Sequence, residues 1–451
     1  MTTSPLQFAR SFGALKSALN AALAPDLHLL RLIDFWPHIA VHCGNPSYES
    51  YFAEYKALLT AATTRESLAD CTPDELSRIL AVTLALDLPE PATAVRCALA
   101  RLYALLGEIE RAVSTCAEIT GETVDPLLGL PDYTLLSELD RLLATADALT
   151  PTTPKTAGLL REIAAAWEDE LGHLWFDRVR CLFVETNGSG SPRGRMRTLR
   201  GTVEPIGSRT SRNAADGIDE VTFEGQLKTA EDPFIGVVYD SLKAVRNLLE
   251  RPTLSPLQAT IGRPLSDLGT GKLRHKEPFY HAHYEIEQNK RVASGDSIGL
   301  AAALVAYAQL LRPEIQRYER FVSSEVAFTG SIAPDGTLLP INPATLGAKL
   351  ERACLSPVRY VVIPSANESD ARVALTALAE RFPSRRLRMI VADCLSDVVE
   401  NRNIVRSERV CIGQFVARKA ARYGRMTKLQ VPLLAVRSEE RRVGKECRSR
   451  W

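Results

Sequence analysis

From about residue 5 to 120, apolar residues recur at helical spacing in several segments broken by Pro and Gly, most clearly in PDELSRILAVTLALDLPEPATAVRCALARLYALLGEIERAVSTCAEITG. This pattern predicts an all-helical N-terminal half. Pro and Thr crowd residues 149–156, read as a linker, and a helix through Trp167 follows. After Trp175 the pattern turns to alternating, β-branched runs: FDRVRCLFVET, then RMRTLRGTVEP across the turn-rich NGSGSPRG, then DEVTFEG. Helical and strand segments then alternate through DPFIGVVYDSLKAVRNLLE, HAHYEIE, GLAAALVAYAQLL, SSEVAFTGSI, TLLPI, LGAKLERAC, VRYVVIP, ESDARVALTALAERF and RLRMIVAD. Such alternation predicts a two-layer α/β or α+β domain.

The expected organisation is therefore a helical N-terminal domain (1–148), a linker and helix (149–174), a mixed domain (175–400), and a basic helical extension (401–436). The last fifteen residues, RSEERRVGKECRSRW, change composition abruptly and resemble a stretch that recurs at the ends of unrelated conceptual translations. They are read as an artefact or a disordered tail, with a genuine basic tail as the alternative. Within the helical half, ALARLYALLGEIERAVSTCAEI is similar to one tetratricopeptide unit. No second copy follows at the period of a solenoid, so an ordinary helical hairpin is the simpler reading.

At 451 residues the chain is long enough for two or three units with cores of their own. Lys plus Arg total 55 against 54 Asp plus Glu, which supplies no overall field for nucleic acid or acidic membranes. Nine cysteines without a CxxC pair argue against a complete disulfide framework and a zinc ribbon, and fit a reducing cytoplasm. The longest apolar run, around residues 300–311, falls short of the roughly 20 residues that span a bilayer, and the N-terminus lacks the pattern of a signal peptide. The expectation is a soluble cytoplasmic protein that binds neither membrane nor nucleic acid.

The candidate chemistry lies in the second half. In Gly295-Asp296-Ser297-Ile298-Gly299 a serine stands between the strand HYEIE and an apolar helix, near a helix N-terminus that can stabilise a developing oxyanion. An isolated serine there is also an ordinary N-cap. Lys349 follows 52 positions on, at the start of another helix and between apolar neighbours Leu346 and Leu350. Desolvation there would lower its pKa from the free value of about 10.4 and let it act as a base. The alternative is a solvated helix lysine.

Together these elements resemble the proteolytic domain of Lon proteases. GDSIGLAAALV, VAFTGSIAPDGTLLPI, GAKLERA, YVVIPSANESD and MIVADCLSDVVE follow one another as the serine loop, the Thr-Gly strand end, the lysine helix, the Ile-Pro strand with Asn-x-x-Asp, and a last strand do in that family. The resemblance covers about residues 175 to 400. It implies an α+β fold of the ribosomal protein S5 domain 2-like type, a Ser–Lys peptidase with Ser297 as nucleophile and Lys349 as base, and Thr329 orienting the lysine. It also implies a homo-oligomeric ring. Gly295 and Asp296 complete the loop, Asp296 in the manner of the archaeal branch; a carboxylate beside the lysine could hold the amine charged. Three features depart from the pattern: Ile298 in place of a small residue, a longer link through RPEIQRYERF, and INPATLG in place of a shorter Gly-Gly turn.

No GxxxxGK[ST] occurs, and SDLGTGKL lacks both the first Gly and the hydroxyl residue, so neither ATP nor another cofactor is expected. His281 and His283 could support a Ser–His enzyme, and His38, His42 and Cys43 have a helical metal-like spacing. Structural histidines and no metal are the preferred reading in both cases. The reading is thus an ATP-independent Lon-like endopeptidase acting on a protein or peptide, its helical half recognising a partner or adaptor. The alternative is a catalytically silent Lon-like domain that serves as an assembly or binding scaffold.

Overall fold

The computed structural model describes residues 5–20, 24–124, 137–171, 173–185, 192–206, 218–224, 233–250, 279–286, 296–310 and 318–409. An N-terminal helical region precedes a mixed sheet and helix region, an arrangement compatible with the α+β class. The helices are α1 (Pro5–Asn20), α2 (Pro25–Ala40), α3 (Glu49–Ala62), α4 (Arg65–Ala69), α5 (Pro73–Ala85), α6 (Pro89–Leu105), α7 (Ile109–Thr120), α8 (Glu138–Leu149) and α9 (Pro154–Leu171). Then come β1 (Leu174–Trp175), β2 (Arg178–Glu185), β3 (Arg193–Ile206), β4 (Ile218–Glu224), α10 (Pro233–Glu250), β5 (Phe279–Ile286) and α11 (Gly299–Leu310). The chain continues through β6 (Tyr318–Ser323), β7 (Val326–Phe328), α12 (Pro343–Cys354), β8 (Tyr360–Pro364), α13 (Glu368–Arg381), β9 (Arg388–Ala392), α14 (Leu395–Glu400) and β10 (Val405–Arg409).

The residues group into two compact units, and neither is one stretch of sequence. The first comprises residues 1–173, 182–196 and 341–391; the second comprises 174–181, 197–340 and 392–451.

In the first unit, apolar residues from α1 through α9 share one core with Cys354, Leu355 and Phe382. Helix starts follow the local chemistry. Thr72 and Glu75 form a capping box with Pro73 at the first helical position of α5, so the free N–H groups of that end are met by side chains. The tetratricopeptide-like piece is the hairpin α6–α7, turned at Gly107 with φ of +76°. Of residues 149–156 only 150–153 connect α8 to α9, the rest belonging to the helices themselves, and Thr153 and Thr156 are buried. His42 is buried and stacked on Tyr48 at 4.1 Å, with Phe8 edge-on at 5.2 Å, and His38 lies against Phe35. These histidines pack in an aromatic cluster, and no group of side chains among the described residues is arranged to hold a metal ion.

In the second unit, β5 lies between β3, antiparallel to it with Thr202 opposite His283, and β4, parallel to it with Thr222 opposite His283. β2 and β7 run parallel, pairing Arg180 with Ala327 and Cys181 with Phe328. A three-stranded antiparallel sheet has the order β1-β6-β10. Two expectations are corrected here. The link through RPEIQRYERF ends in a strand, β6, and the expected C-terminal helical extension begins as a strand, β10. Pairing of Val405–Arg409 with Tyr318–Val322 satisfies the backbone groups on the facing edges of the two segments. The rest of the extension and the last fifteen residues lie outside the described residues. α11 is buried from Gly299 to Gln309, which explains its lack of a polar face. The Gln309 amide pins it to β3, its Oε1 accepting from Val203 N at 2.8 Å and its Nε2 donating to Gly201 O at 2.5 Å. No helix among the described residues is long and apolar enough to cross a membrane.

Candidate active site

Ser297 lies in the second unit, in a single 3₁₀ turn, Asp296–Ile298, that leads into α11. Its side chain is partly exposed, whereas Ile298 beside it is fully buried, so the bulky residue at that position serves the core. Gly295 and the side chain of Asp296 lie outside the described residues. Gly299 is where the loop meets the Thr-Gly-Ser segment. A Cβ there would stand 3.1 Å from Ile332 N and 3.2 Å from Ser331 Cα, closer than most side-chain contacts tolerate. Two hydrogen bonds hold this approach: Leu300 N donates to Gly330 O at 3.2 Å, and Ser241 Oγ of α10 donates to Gly299 O at 2.8 Å.

Thr329, directly before Gly330, is fully buried, and its hydroxyl has no hydrogen-bond partner among the described residues. The structure thus brings the serine loop and the Thr-Gly-Ser turn together, as two parts of one unit. His283 is partly buried on β5, and the side chain of His281 lies outside the described residues.

Lys349 is in the first unit, on α12. Asn342 caps that helix, accepting from Ala344 N at 3.0 Å, and Pro343 occupies its first position. The INPATLG segment is therefore a well-made helix start. Leu346, Lys349, Leu350 and Ala353 form the buried stripe, spaced as one helical face requires. Lys349 is only 3% exposed, and desolvation pushes its pKa down from the ordinary 10.5 to about 8.

A residue not singled out by sequence reasoning holds the entrance to this helix. Asn367, buried at the end of the Ile-Pro strand, accepts from Ile341 N at 2.7 Å and donates to Ile341 O at 2.8 Å. The Asn of the Asn-x-x-Asp stretch was the available signal. At the other end of α12, Arg385 donates to Cys354 O at 3.0 Å, to Ser356 O at 2.8 Å and to Val358 O, a cation where the helix exposes its carbonyls.

The lysine has a consequence for stability. Its folded-state pKa lies below the unfolded one, so a cost of keeping it charged is fully present below pH about 8 and is relieved as pH rises from there to 10.5. Lys349→Met keeps the stem and removes the charge. Near neutral pH it should stabilise the protein by about 2 to 3 kcal/mol, with the gain vanishing at high pH. Urea unfolding of both proteins from pH 7 to 11 measures this, and equal stabilities at pH 7 would contradict a desolvated lysine.

No family model matches the chain. An archaeal Lon protease from Thermococcus kodakarensis is 28% identical to it over 132 residues, 29% of this chain. The chain thus spans only 19% of the length of that curated relative. This likeness supports a distant relationship to the Lon proteases.

Proposed function

We propose that the chain is a Lon-like serine endopeptidase with a proteolytic fold of the S5 domain 2-like type, in which Ser297 is the nucleophile and Lys349 its general base. The observation that carries this reading is a desolvated lysine, pushed down to about 8, on the buried stripe of the helix where the Lon-like order of motifs puts the base. The neutral amine accepts the Ser297 hydroxyl proton as Oγ attacks the scissile carbonyl, then returns it to the leaving amine. Water hydrolyses the acyl-serine with the same lysine as base. The positive end of α11 is suited to the oxyanion. Thr329 is the candidate for orienting the amine, and Asp296 and Gly295 for shaping the loop. Further parts of the proposal are that cleavage needs no ATP and that the peptidase assembles as a ring.

The test is cleavage of an unfolded protein and of a short fluorogenic peptide, with and without ATP. Cleavage without ATP that falls at least about a thousandfold in Ser297→Ala is the expected result. Unimpaired cleavage by Ser297→Ala overturns the assignment, and a strict need for ATP overturns the energy-independent part. Activity should also rise with pH through about 8, the direction required when the neutral amine is the working form. Lys349→Arg should be inactive because guanidinium stays protonated.

A further inference from the structure

The first unit contains a cluster of charges that the peptidase reading does not use. Arg195 is 1% exposed, and its guanidinium faces three carboxylates: Asp26 at 2.8 Å, Asp70 at 3.0 Å and Glu185 at 2.7 Å. Arg193, two residues earlier on the same strand, pairs with Glu75 at 2.6 Å and Asp26 at 2.9 Å and donates to Asp70 O at 2.9 Å. Burial alone would raise the Glu75 carboxyl, but hydrogen bonds and charge from Arg193 outweigh it and hold the group below its ordinary value. The carboxylates of Asp26 and Glu75 come from α2 and α5, that of Asp70 from the end of α4, and that of Glu185 from β2.

The cluster is continuous with the lysine helix. Gly194, between the two arginines, lies against α12: a Cβ there would stand 2.0 Å from Ala348 O and 3.0 Å from Arg352 Cβ. Ala348 precedes Lys349. Arg352, three residues after the lysine on the same helix, donates to Ala69 O at 2.9 Å and pairs with Asp70 at 3.5 Å. One carboxylate, Asp70, therefore meets both the strand arginine and the helix arginine.

We infer that Arg352, Asp70 and Gly194 are positioning residues for Lys349, fixing the height and rotation of α12 against the start of β3 and the N-terminal helices. The inference rests on the reading of Lys349 as base. A buried network of charge-assisted hydrogen bonds is costly to assemble, but once satisfied it admits few alternative geometries. A general base requires that narrowness, since a displacement of about 1 Å can cost on the order of a hundredfold in rate. The glycine supplies the other half of the constraint, allowing a contact that any side chain would prevent.

The test compares Arg352→Gln, Arg352→Lys and Gly194→Ala in the full chain. Two measurements are made: steady-state kinetics, giving kcat and KM for a short peptide, and amide hydrogen exchange across residues 343–354. In Arg352→Gln kcat should fall roughly ten- to a hundredfold with KM within about twofold, and exchange should accelerate in α12 while the α6–α7 hairpin stays protected. Arg352→Lys should recover part of kcat. Gly194→Ala should reproduce the loss by a clash on the face of the helix that Ala348 and Arg352 share. Unchanged exchange in α12, or unchanged kcat despite faster exchange, overturns the inference. Were the wild-type chain to show no Ser297-dependent cleavage, the peptidase reading would fail by itself, and hydrogen exchange would still decide whether the cluster holds the helix.

Discussion

Deleting residues 1–173 is expected to abolish cleavage of every substrate, short peptides included, and to leave the remainder unable to fold stably. Sequence patterning gives the helical half the expected role of recognising a partner or adaptor, and its core ties it to the lysine helix as well. Cys354 and Leu355, at the end of the lysine helix, and Phe382, after α13, are buried among side chains of α1 to α9. Ser384 abuts the Gly107 turn, Arg381 pairs with Asp74 at 3.2 Å, and Arg352 reaches Ala69 O. Truncation would expose that apolar surface and leave Arg193 and Arg195 without Asp26, Asp70 and Glu75. Purified residues 174–451 should show a poorly cooperative urea transition and no Ser297-dependent hydrolysis. A folded fragment that cleaves peptide at the full-length rate would restore the separable recognition domain. A role for the helices in choosing a partner or adaptor remains compatible with this result, and is a proposal about their exposed surfaces alone.

The second large effect is expected at Arg195. Burial works against its charge, yet Asp26, Asp70 and Glu185 outweigh that cost and raise its pKa above the ordinary value. Arg195→Met removes the cation while leaving Asp26 and Asp70 buried, at 2% and 7% exposure. Breaking one side of a buried pair costs about 3 to 5 kcal/mol, and because Arg193 still meets Asp26 and Arg352 still meets Asp70 the loss here is expected near the lower figure. This approaches half the stability of a typical domain. Chemical denaturation of Arg195→Met beside the unaltered protein checks this. A loss below about 1 kcal/mol for Arg195→Met would place the cluster with exposed salt bridges, which contribute little.

Much of the local structure was legible in the chain. The 3.6-residue recurrence of apolar positions marked the N-terminal helices, and alternation marked β2, β3, β4 and β5, because each element must bury one face. The serine loop, the Thr-Gly turn and the helix of Lys349 were legible as segments, since Gly and Pro mark the junctions between elements. β6 and β10 were not: YERFVS and VRSER are short and charged, and they become strands by pairing with each other and, for β6, with β1. Tertiary structure alone decided that a lysine read as buried or solvated is buried, because its helix packs one stripe inward. It also decided the partners of Arg193 and Arg195. Ion pairs between residues separated by more than a hundred positions leave no periodic trace, and in the sequence Arg193 and Gly194 read as the end of a turn and Arg195 as the start of a strand. The grouping of residues 341–391 with the N-terminal helices was likewise hidden, since a shared core is a property of contacts between distant segments and no local pattern records it.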